Sequence, residues 1–157
     1  MSQDTSTVPV RKVDALPEIV RPLPPDRHPA ATYLASLAPG SRPSVRSGLR
    51  LLATLLSGGR TNDWSAIDWS AVRFQHAAAI RTLLAERFAP STANRQLAVL
   101  RGVLRQAWLL GAMSAEDYHR ACATGAVKGT RLPAGRALSS GELRSLFSSS
   151  QRAPRTR

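Results

Sequence analysis

Ser91-Thr92-Ala93-Asn94-Arg95-Gln96-Leu97-Ala98-Val99-Leu100-Arg101-Gly102-Val103-Leu104-Arg105-Gln106-Ala107-Trp108-Leu109-Leu110-Gly111 is the stretch whose pattern decides the fold. Leu97, Leu100, Leu104, Ala107 and Trp108 recur at spacings of three and four, which places them on one face of a helix. Asn94, Ala98, Arg101 and Arg105 keep the same spacing and predict a second stripe on the opposite face. No acid interrupts that stripe, so a polyanion could run along it. The small Ala98 and Gly102 beside the arginines would let a phosphate backbone come close.

Working outward, Ala89-Pro90 breaks the preceding helix, Ser91 or Thr92 is expected to cap this one, and Gly111 ends it. The preceding helix is expected from about Ala71 or Arg73 to Phe88, with Phe74, Ala77, Leu84 and Phe88 inward. Before it lies a connection, Asn62 to Ser70, in which Asp63-Trp64-Ser65 and Asp68-Trp69-Ser70 echo each other. The tryptophans are read as pins that hold this loop onto the helices, in preference to base-stacking platforms. Further upstream, Ser41 or Ser44 caps a helix that continues to about Ser57 and stops at Gly58-Gly59. Val45, Leu49, Leu52 and Leu56 form its apolar side, and Arg46 and Arg50 lie one turn apart on another face. Pro29 opens a first helix through Tyr33, Leu34 and Leu37, stopped by Pro39-Gly40. Downstream, Ser114-Ala115-Glu116-Asp117 opens a short helix with acids in its first turn, ending near Thr124-Gly125. No stretch shows the alternation of a strand. The expectation is an all-α bundle of four to five helices between disordered tails.

Residues 1–28 read as a proline-rich tail and 29–126 as the helical domain. Residues 127–137 read as a basic linker carrying Lys128 and Arg131. Over 138–157, Ser139 and Glu142 form a capping box that opens one more helix, followed by a polar, basic, disordered end.

The chain has 157 residues, a formal net charge of +12 and 43 % apolar content, enough for one modest domain with a core. Twenty of its cations are arginine and two are lysine. Guanidinium forks match phosphate geometry, which favours nucleic acid, although a GC-rich genome gives the same bias, so position matters more than number. From Arg42 to Arg105 there are ten arginines against three acids. Arg81 and Arg87, beside Glu86, read as ordinary solvated side chains. Cys122 stands alone, which excludes an intrachain disulfide and a cysteine-based metal site. His119 is one turn upstream of it, but a half-buried unreactive thiol is the plainer reading. His28, His76 and His119 are far apart, so no metal or cofactor is expected. No apolar run approaches a membrane span and the N-terminus has no signal core, so a cytoplasmic protein is expected, with no membrane and no small-molecule substrate.

Three features in order carry a resemblance: the helix from Ser41-Arg42-Pro43-Ser44-Val45-Arg46 to Leu55-Leu56, the run Phe88 to Leu104, and the linker followed by Gly135-Arg136-Ala137-Leu138-Ser139-Ser140-Gly141-Glu142-Leu143. Over about residues 28–147 the chain resembles the N-terminal core-binding domain of tyrosine recombinases, the phage integrase family. The resemblance implies a small helical bundle that clamps one side of double-stranded DNA with its second and fourth helices. Carried over by position, it assigns DNA contact to Arg42, Ser44, Arg46 and Arg50, and to Ser91, Thr92, Asn94, Arg95, Arg101 and Arg105. Lys128 and Arg131 would cross the backbone, and other recombinase protomers would be partners. The family's second domain carries an arginine, a lysine, a His-x-x-Arg pair and a nucleophilic tyrosine. This chain has no His-x-x-Arg, and its tyrosines, Tyr33 and Tyr118, lie within the helical pattern. No catalytic residue is therefore assigned, and the chain is expected to lack strand-cleaving activity, as a form truncated before the catalytic domain.

The alternatives from the residues alone are a helix-turn-helix regulator and a basic helical adaptor for another protein. The DNA reading requires that the guanidinium sides of both helices face one groove of the duplex.

Overall fold

The computed structural model describes residues 22–129, so the helix expected near 138–147 lies outside the described residues. Five α-helices follow in order: α1 Pro29–Ser36, α2 Arg42–Leu56, α3 Phe74–Arg87, α4 Pro90–Leu109 and α5 Ala115–Cys122. Three short 3-10 turns, Pro39–Ser41, Trp64–Ala66 and Trp69–Ala71, lie between them, and the described residues contain no strand. The protein is an all-α bundle.

α4 is the central rod and packs against each of the other four helices. Leu97, Leu100, Leu104 and Ala107 are buried, as their spacing predicts. Val99 and Val103 are buried too, beyond the expected stripe. A helix surrounded by neighbours buries more than one apolar arc, and α2 covers the Val99 flank, with Gly48 against the Val99 side chain. Trp108 is only half-buried and stacks on Tyr118 of α5, ring centroids 5.0 Å apart.

Three local expectations are corrected. Pro90 is the first residue of α4, Ala89 takes the cap position, and neither Ser91 nor Thr92 caps the helix with its side chain. Proline's fixed φ and missing N–H suit a first turn, so it starts this helix as well as ending the previous one. Phe74, expected inward, is 49 % exposed at the start of α3, where it falls at the margin of the arc set by His76, Ala77, Ile80 and Leu84. His28, counted with the tail, is buried and caps α1.

The repeated Asp-Trp-Ser becomes two similar turns. Asp63 Oδ1 accepts from the Ser65 amide and hydroxyl at 2.9 and 2.6 Å. Asp68 Oδ1 does the same for Ser70 at 3.1 and 2.5 Å. Trp69 is fully buried and its indole N–H donates to the Trp64 carbonyl at 2.9 Å. Trp64 meets the His28 ring edge-on. The tryptophans thus pin the loop. His28 Nδ1 accepts from the Ala31 amide at 3.3 Å while Nε2 faces the Ser65 carbonyl at 3.1 Å, which requires the proton on Nε2.

Gly58 and Gly59 close α2, and Gly111 closes α4, all three with positive φ, as their positions after the helices predict. α5 stops at Cys122, earlier than expected. Beyond it the chain runs without helix across the bundle to Gly129.

Candidate nucleic-acid interface

Over residues 22–129, twelve arginines and one lysine face six acids. Two of those acids, Asp63 and Asp68, are occupied as turn caps. The Ser65 hydroxyl and amide hold the Asp63 carboxyl below its usual range, with a smaller contribution from Arg50. Asp117 pairs with Arg73 at 3.6 Å, and Glu116 with Arg120 at 2.5 Å along α5. Among the described residues, none of the arginines assigned to DNA on α2 and α4 forms an ion pair with an acid.

Those arginines occupy three different settings. On α2, Arg42 donates to the carbonyls of Leu37 and Ala35 at 3.1 and 3.3 Å, fastening the turn between α1 and α2. Arg42 and Arg46 line an open groove with Ala31, Leu34, Ala35 and Trp64, on the α1 side of the helix. Arg46 and Arg50 are exposed. Ser44 turns the other way, and its hydroxyl accepts from the Arg95 guanidinium of α4. Ser91 and Thr92, in the first turn of α4, are exposed.

The predicted stripe of α4 lies beside the apolar face, not opposite it, since Arg101 is four residues from Leu97 and three from Leu104, and it divides. Asn94 and Arg101 face the segment after α5. Asn94 bonds Val127 in both directions, its amide donating to the carbonyl at 3.0 Å and its oxygen accepting from the N–H at 2.7 Å. Arg101 donates to the Thr124 carbonyl at 2.6 Å. Arg105 is exposed, beside Tyr118. Gly102 offers no approach to a phosphate, because the Tyr33 ring of α1 lies over it. Only Ala98 keeps the open, small-residue character expected of both positions. Of the arginines assigned to DNA, Arg42 and Arg101 thus bond main-chain carbonyls and Arg95 bonds Ser44, while Arg46, Arg50 and Arg105 are exposed.

Arg81 was missed. It donates to the carbonyls of Gly125 and Ala126 at 2.7 and 2.9 Å. Its partners lie 44 and 45 residues away, and no local pattern around Arg81 signals them. Lys128 is exposed, and Gly129 packs against Pro90 at the start of α4. Arg131 lies outside the described residues.

The other chemistry-bearing groups have structural surroundings. Burial pushes the Cys122 thiol up, against smaller opposing effects of Tyr118 and Arg101. Burial also pushes Tyr118 up. The His119 ring stands beside Tyr118 and Trp108, at 5.1 and 5.9 Å between centroids. Among the described residues, no three His, Cys, Asp or Glu side chains gather as a metal site needs, and no helix is long and apolar enough to cross a membrane.

Compared with known proteins, the chain matches no family model, no curated sequence and no solved structure.

Proposed function

We infer that this chain is a double-stranded-DNA-binding module of the kind that precedes the catalytic domain in tyrosine recombinases, serving recombination or integration without cleaving strands itself. The observation that carries the reading is that, within the described residues, no arginine of α2 or α4 forms an ion pair with a carboxylate, Arg50 acting on Asp63 only from a distance. α2 and α4 themselves carry no acid: of the six acids among the described residues, Asp63 and Asp68 cap turns, Glu86 is on α3, Glu116 and Asp117 are on α5, and Asp26 precedes α1. The contact set narrows to the exposed cations: Arg46 and Arg50 on α2, Arg95 with Ser44 at the start of α4, Arg105, and Lys128. These would act as phosphate contacts, which position a protein on a duplex without reading its sequence.

A mobility-shift titration of the full chain at low salt, with an unrelated 30-base-pair duplex, tests this. A shift at micromolar protein that fades steeply with salt is expected. No shift removes the DNA reading and leaves a basic helical adaptor. Footprints confined to one two-fold operator would instead favour a helix-turn-helix regulator.

A further inference from the structure

The segment after α5 is held in an unusual way. Four consecutive residues, Thr124 to Val127, have their carbonyls taken by side chains of two helices: Arg101 on Thr124, Arg81 on Gly125 and Ala126, and Asn94 on Val127. The apolar anchorage is small. Thr124 and Val127 are buried, but Gly125, Ala126, Lys128 and Gly129 are exposed. A segment with few buried contacts and glycine in its backbone belongs to the low-stability end of a fold, where local opening occurs without global unfolding.

The acceptors are neutral carbonyls, while the donors include two full cations. A phosphodiester oxygen carries charge and makes the stronger bond to a guanidinium. We propose that residues 124–127 form a releasable strap over α3 and α4, and that a DNA phosphate backbone competes for the guanidinium groups of Arg81 and Arg101 and opens it. The strap thus stands in for the ligand in the free protein, and its opening turns Asn94, Arg101 and Arg81 outward together. This rests on the DNA-binding reading. Linkage makes the effect reciprocal: whatever loosens the strap tightens DNA binding, because less of the protein is held in the closed state.

Hydrogen exchange of the Val127 amide, which donates to Asn94 Oδ1, reports the strap directly. In the full chain with a saturating duplex, exchange at Val127 should rise at least tenfold while core amides such as that of Val103 stay protected. A duplex that binds and leaves Val127 unchanged or slower overturns the strap while sparing the DNA reading. A duplex that does not bind removes the DNA reading, and inorganic polyphosphate then decides the strap: tenfold faster exchange upholds competition by phosphate, and no change ends it. Val127→Ala, which keeps every cation, should bind duplex two- to fivefold more tightly; equal or weaker binding counts against release.

Discussion

The ring of Tyr33 on α1 fills the space that a side chain at position 102 of α4 would need. Gly102 is therefore where two helices come close. Gly102→Ala forces that ring to move, and overpacking costs about 1–3 kcal/mol. Alanine's better helix propensity returns up to about 1 kcal/mol. The net expectation is a lower urea midpoint with an unchanged slope. A stabilised variant would show that the ring yields freely.

Gln96 and Gly48 form a second close approach, between α4 and α2. A Cβ at position 48 would stand 2.6 Å from Gln96 Oε1, a buried oxygen with no hydrogen-bond partner among the described residues. Leaving such a group unpaired costs about 1–3 kcal/mol. Gln96→Met keeps the shape and removes the cost, so thermal unfolding should move up by several degrees. Gly48→Ala meets only the movable end of Gln96 and gains up to about 1 kcal/mol of helix propensity, so it should leave the midpoint level or raise it.

Burial is the main cause that lowers the His28 pKa, opposed by the Ser65 carbonyl and by Asp63 and Asp68. The folded state thus prefers the neutral ring, whose Nδ1 accepts from the start of α1. Its contribution to stability is present above the unfolded pKa of about 6.5 and is lost as pH falls below it. Melting temperature should drop between pH 7.5 and pH 5. His28→Asn keeps a capping acceptor without a titrating ring, and should flatten that drop.

Arg46 and Arg50, which make no bond to residues 124–127, test the proposed DNA surface separately from the proposed strap. Replacing both by Ala should weaken binding to every duplex alike. It should also reduce the slope of log affinity against log salt by about 1.8, from two lost phosphate contacts. An unchanged slope would take α2 out of the interface.

Cys122 should be slow to react. With its pKa raised by burial, little thiolate is present near neutral pH. Iodoacetamide should label it more slowly than a free thiol in a peptide, and the difference should vanish in urea. Fast labelling of the folded protein would mean that the thiol is more open than its surroundings imply.

Local pattern made most of the helices legible. Leu97, Leu100 and Leu104 announce the inner side of α4, and Gly58-Gly59 and Gly111 announce where α2 and α4 stop, because both signals are local properties of the chain. Phe74 misleads because a residue at the first position of a helix belongs to its face only if the neighbour reaches that far. The site was less legible than the fold. Arg101 and Arg105 share one spacing in sequence yet have different tasks, one on the Thr124 carbonyl and one in solvent.

What the sequence determined alone is the set of rods, their apolar faces and an excess of guanidinium over carboxylate. Helix periodicity, glycine stops and charge need no knowledge of distant partners. Only the tertiary structure decided which cations remain available. Arg42, Arg81 and Arg101 are drawn onto main-chain carbonyls that no pattern pairs with them, while Arg46, Arg50 and Arg105 stay exposed. A guanidinium bonds whatever acceptor the packing brings within reach, and packing joins residues far apart in the chain.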